Sequence, residues 1–137
     1  RDSAQTTVAH NSDRTVTGLA PGATQRTING TSAGRESTAG RDTAGAYTLL
    51  RVGGDTIDGV IIPVRNDSMG ASYPSAGKVI RSMAATFTRG DVVRSITRRE
   101  VLTFNGTATA TLVITQNGVT KTCTVSLAQR GRPNCRE

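Results

Sequence analysis

The stretch Thr107–Leu127, TATATLVITQNGVTKTCTVSL, decides the fold. Two runs of alternating residues flank Asn117-Gly118, a pair that tolerates the positive φ angles of a type I′ turn and so marks a two-residue hairpin loop. With that loop, Gln116 faces Val119, and the register follows: Ile114 opposite Lys121, Leu112 opposite Cys123, Ala110 opposite Val125 and Ala108 opposite Leu127. These residues share one face. The other face carries Thr115 with Thr120, Val113 with Thr122, Thr111 with Thr124 and Thr109 with Ser126. A slip of one residue would move every apolar side chain to the wrong face, so the pattern specifies its own register. The stretch predicts a half-buried antiparallel hairpin, apolar on one side and hydroxyl-rich on the other.

Working back toward the N-terminus, the same grammar recurs. Val92–Phe104 and Val79–Thr88 read as strands joined at Arg89-Gly90-Asp91, and Asn105-Gly106 makes a tight turn into the hairpin. Ile80–Ala85 also admits a short helix. Ala46–Val52 and Thr56–Val64 read as two strands around a turn at Gly53-Gly54-Asp55, where glycine would supply the positive φ. Asn66–Lys78 is a Gly/Ser/Pro loop. The fold expected is mainly β: an antiparallel up-and-down meander or partial barrel over residues 45–127, followed by a basic tail, 128–137.

Residues 1–44 are a different material. Thr, Ser, Gly and Ala dominate, with apolar residues set singly at Val8, Val16, Leu19 and Ile28. Thr31-Ser-Ala-Gly-Arg-Glu36 is echoed by Ser37-Thr-Ala-Gly-Arg-Asp42. Such a composition buries too little apolar area to offset its backbone entropy, so an isolated segment of this kind stays disordered. The expectation is an extended N-terminal arm held by its own domain, by a partner or by a neighbouring copy. Val8, Val16, Leu19 and Ile28 are its candidate contacts.

The segment Gly45–Val64, GAYTLLRVGGDTIDGVIIPV, and the later hairpin around Thr122-Cys123-Thr124 resemble bacterial lipocalin-like domains over about residues 46–127. These are secreted β-proteins whose first strands carry a G-x-Y-x-L-x-x-V-x-G pattern followed by an apolar strand containing Pro. The resemblance implies a secreted β-domain and, in a closed barrel, a small apolar ligand. The family continues into further strands that close its barrel. This chain stops soon after Cys135, so an incomplete barrel is expected.

Composition bounds the partners. Only 3% of residues are aromatic and 35% hydrophobic, which is lean for a densely packed domain. The net charge is +7 with lysine only at 78 and 121, a balance that suits an acidic protein face or anionic lipid headgroups. Arg94, Arg98, Arg99 and Lys121 form the candidate basic surface; alternation puts Arg94 and Arg98 on one side of a strand and Arg99 on the other. Scattered, solvated arginines account for the same residues about as well. A nucleic-acid reader would add stacking aromatics to such a face, and Phe104 alone is close by, which argues against that partner. Cys123 and Cys135 fit a disulfide in an oxidising compartment rather than a metal site. With a start at Arg1-Asp2-Ser3 that suggests a processed chain, they point to a periplasmic or secreted location.

No motif carries chemistry. Gly70–Val79 has the wrong spacing for a phosphate-binding loop, and Val79 stands where a magnesium-ligating hydroxyl belongs. His10 is the only histidine. Asp55 and Asp58 read as turn residues before they read as calcium ligands, and Arg89-Gly90-Asp91 is short enough to arise by chance. Asn29, Asn66 and Asn105 begin glycosylation-type triplets, two of them plain Asn-Gly turns. No catalytic residue, cofactor or metal is assigned. The expectation is a non-enzymatic, extracytoplasmic accessory subunit that docks on a larger, membrane-associated assembly (a respiratory or photosynthetic complex, for example) and staples partners with its arm. The alternatives are a lipocalin-like ligand module and a subunit that self-associates by strand addition.

Overall fold

The computed structural model describes residues 2–64, 72–129 and 131–136. Its strands are β1 (Ser3–Thr17), β2 (Gln25–Asp42), β3 (Gly45–Pro63), β4 (Ala76–Arg89), β5 (Val92–Thr103), β6 (Thr109–Gln116), β7 (Val119–Ser126) and β8 (Asn134–Arg136). They form one eight-stranded antiparallel sheet in chain order, β1 through β8, and the sheet does not close on itself. Every pairing is between sequence neighbours, so each connection is a hairpin.

The β6–β7 hairpin has the register its sequence dictates, from Gln116 opposite Val119 to Thr109 opposite Ser126. Asn117 and Gly118 take φ of 49° and 82°, the two left-handed positions of a type I′ turn. The Asn117 side chain and backbone also clip the turn onto β5: its Oδ1 accepts from the Thr97 N–H at 2.9 Å, and its own N–H donates to Thr97 O at 3.0 Å. At Arg89-Gly90-Asp91 the expected turn forms, with Arg89 paired to Val92. Asn105 shapes the β5–β6 connection by accepting from both the N–H and the hydroxyl of Thr107.

Three expectations are corrected. Asn29-Gly30 makes no turn: both residues lie within β2, opposite Thr15 and Arg14 of β1. Residues Gly53-Gly54-Asp55 make no turn: β3 runs unbroken for 19 residues. Gly53 stands opposite Gly34 on β2 and Met83 on β4, with Gly54 opposite Ala33 and Ser82. Both glycines keep extended backbone, and a Cβ at Gly54 would lie 2.6 Å from Ser32 O, so close approach to β2 explains the glycine better than a positive φ. Residues 80–85 are strand, not helix, because Ile80 to Ala85 are paired on both sides. Of the expected loop at Asn66–Lys78, residues 66–71 lie outside the described residues, 72–75 are irregular and 76–78 already belong to β4.

The extended arm is held by its own domain. It folds back on itself as the β1–β2 hairpin, and β2 lies along β3 from Gln25 to Asp42. In isolation the arm buries too little apolar area to order, whereas β3 offers it a ready ladder of backbone partners beside Leu49, Leu50, Val52 and Ile57. One irregularity interrupts that ladder. Between Ile28/Val60 and Gly30/Ile57, β3 carries an extra residue at Asp58-Gly59. Gly59 there has φ 58°, and its N–H donates to Asn29 Oδ1 at 2.8 Å.

The apolar residues are arranged in rows across the strands. Ile57, Val79, Leu102, Leu112 and Cys123 stand opposite one another in succession across β3 to β7. Among the described residues the buried apolar side chains are Val60, Ala110, Leu112 and Cys123, all in or beside that row. Cys123 ends it, bonded to Cys135 on β8. The core is therefore a strip at one end of one face, called here the Leu112 face. No second layer of described residues covers either face.

Candidate interaction surface

The exposed area sets the problem. A compact monomer of 14.3 kDa exposes about 6,800 Å², whereas this chain exposes 9813 Å². The β1–β2 hairpin is among the exposed parts. Every residue of β1 is exposed, and Val8 and Leu19 are each 65% accessible. Of the four candidate arm contacts, Ile28 is the one drawn in: it is half-buried opposite Val60 and Val16. The other three remain on the surface.

On the Leu112 face, a band that is polar except at Ile114 runs beside the apolar row. Asp55, Arg81, Glu100, Ile114 and Lys121 stand opposite one another in register. Arg81 Nε donates to Asp55 Oδ1 at 3.2 Å. In the next row, Arg98 donates through Nε to Glu100 Oε1 at 2.7 Å and through Nη1 to Gln116 Oε1 at 2.8 Å. These are cross-strand and same-face pairs, each modest in stability at this exposure. Asp55 and Asp58 are accordingly strand residues with cation partners; Asp58 lies 3.8 Å from Lys78. Neither is the turn residue expected, and among the described residues no group of three or more His, Cys, Asp or Glu could hold a metal.

The structure places Arg94, Arg98 and Lys121 on the Leu112 face, while Arg99, opposite Ser82 and Thr115, lies on the other. Arg98 is committed to Glu100 and Gln116, which divides the basic surface. Sequence reasoning missed a tighter cluster near the far end of the same face. Tyr47 and Phe87 stack with centroids 5.8 Å apart. The Arg89 guanidinium lies 5.5 Å and 5.4 Å from the two ring centroids, and its Nη2 pairs with Asp42. The ring of Tyr47 lies across Gly40, its partner on β2, where a Cβ would come 2.5 Å from Tyr47 Cζ. The signal was present in the sequence as an aromatic two residues before Arg89 and another at Tyr47, but only the β3–β4 register brings them together. Arg89 is thereby taken out of any exposed Arg-Gly-Asp tip.

Between these features a shallow trough crosses β1 to β4, lined by Val8, His10, Glu36, Asp55, Arg81 and Met83 and floored by Gly34 and Gly53. What the whole arrangement offers chemically is recognition: unfilled backbone donors and acceptors along β1, exposed aliphatic side chains, and a trough of mixed charge. No helix among the described residues is long and apolar enough to cross a membrane. The chain matches no family model, and no curated protein or solved structure matches it.

Proposed function

We propose that this protein is a non-enzymatic structural subunit of an extracytoplasmic assembly, docking on a larger, membrane-associated complex through its N-terminal hairpin. The observation that carries the proposal is the uncovered single-layer sheet, whose 9813 Å² of exposed surface exceeds the compact-monomer value by roughly 3,000 Å². A sheet that is apolar in part on one face and bare of a second layer gains stability when a partner covers it. The net charge of +7 favours an acidic partner surface or the headgroup region beside it. The Cys123–Cys135 disulfide supports an oxidising compartment.

The test is affinity isolation of the tagged full chain from native envelope membranes in mild detergent and low salt. A parallel isolation uses a variant with Val8→Asp and Leu19→Asp, which keep the backbone ladder while changing the exposed aliphatic surface. Recovery of a stoichiometric complex of unlike subunits, lost in the variant, is the expected result. Recovery of this chain free of unlike subunits in both preparations would overturn the proposal and favour a ligand-binding module.

A further inference from the structure

The two borders of the sheet are built differently. At the C-terminal border, β8 covers β7 only at Thr122–Thr124, is three residues long and is locked there by the disulfide to Cys123. Arg132 and Pro133 precede it. Short edge strands, proline and basic residues are the devices by which natural sheets prevent pairing with another chain. Where β5 projects past the end of β6, at Val92–Thr97, Asn117 caps Thr97 and Arg94 interrupts the short free edge. The N-terminal border has a single basic residue, Arg14, set beside Asp13, and no other of these devices. β1 runs 15 residues without proline, lysine or a break in register against β2. Its only formal charges, Asp13 and Arg14, cancel within a chain of net charge +7.

We infer that β1 is a self-complementary edge that pairs antiparallel with β1 of a second copy, closing a two-fold dimer with one continuous sheet. The guarded C-terminal border disfavours the competing head-to-tail arrangement, which would grow into open filaments. Full overlap puts Ser3 opposite Thr17, Val8 opposite Ser12 and His10 opposite His10 of the other copy. Asp13 then meets Thr7 and Arg14 meets Thr6, so no like formal charges face each other. The pleat is also satisfied: a two-fold axis normal to the sheet pairs residues of the same face, and Val8, His10 and Ser12 all lie on the face of Gly34 and Ser32. The partner is therefore a second copy, matched to itself in length, charge and alternation.

The experiment is sedimentation of the purified full chain over a concentration series, with two double variants at the same exposed positions. Val8→Lys with Ser12→Lys sets lysine against lysine twice across the axis and is expected to weaken the dimer about 30-fold. Val8→Lys with Ser12→Glu sets opposite charges in the same places and is expected to dimerise at least as tightly as the parent. His10→Cys supplies a single free thiol, because Cys123 and Cys135 are bonded to each other, and is expected to cross-link two copies under oxidation. A parent that is monomeric at every concentration, equal responses of the two double variants, or no cross-link through position 10 would each overturn the inference. Host docking is read separately by the recovery of unlike subunits, so either proposal can fail while the other stands.

Discussion

Arg89 lies over two rings at once and reaches Asp42 across the β2–β3 turn, so a single side chain ties β2, β3 and β4 together near one end of the sheet. The planar guanidinium suits this position because it can stack and pair at the same time, which an ammonium cannot. Its Nε is buried without a partner, a cost the stacking and the Asp42 pair must offset. Replacing Arg89 by Ala is expected to lower stability by about 1–2 kcal/mol, since it removes cation–π contacts and an ion pair together. Arg89→Lys, which keeps the charge but not the plane, is expected to lose about half as much. Thermal unfolding followed by circular dichroism ranks the three proteins, and equal midpoints for all of them would refute this reading of the cluster.

At the scale of elements, legibility followed local physics. The β6–β7 hairpin could be read residue by residue because Asn117-Gly118 specifies the turn and Leu112, Cys123 and Ala110 specify the face. Gly53-Gly54 misled for a symmetrical reason: glycine marks both turns and places where backbones crowd, and only the neighbouring strand, with Gly34 and Ser32, decides between them. The arm was hard to read because its strands are specified by β3 rather than by their own apolar pattern. The aromatic cluster was invisible for the same reason, depending on a register between strands far apart in sequence. The disulfide belongs to this scale as well, since it fastens β8 to the end of the Ile57–Cys123 row. Cys135→Ser is expected to free β8 and cost about 3 kcal/mol for a loop of this length. Hydrogen exchange should then quicken at Thr122–Thr124 while Val113 and the other central amides of β6 change little; uniform exchange throughout β7 and β6 would mean that the bond holds the hairpin itself.

For the whole molecule, the hairpin of residues 3–42 is part of the sheet rather than an appendage to it. Removing 1–44 would uncover the border of β3, where Leu49, Leu50, Val60, Ile61 and Ile62 sit on a 19-residue strand. Long apolar edges of that kind aggregate. The truncated chain is expected to scatter light and sediment as large species under conditions where the full chain does not, and a well-behaved truncated monomer would show that β3 does not depend on the arm for protection. The net charge of +7 and the scarcity of aromatics are legible in composition because they are properties of the entire chain. They could not reveal the asymmetry between the borders, which exists only once the strands are placed side by side.

The strict succession of strands, each bonded to its neighbours in the chain and to no others, also governs how the molecule yields to force. Tension applied through the two ends acts at opposite margins of the sheet. In such a meander the strands at the N-terminal margin can be peeled away by breaking their backbone bonds one after another, without shearing a whole ladder at once, whereas the Cys123–Cys135 bond holds β8 to β7. A chain of this kind would lengthen from its N-terminal margin in a series of small, low-force steps and reel itself back in the reverse order, behaving as a compliant tether instead of a rigid strut.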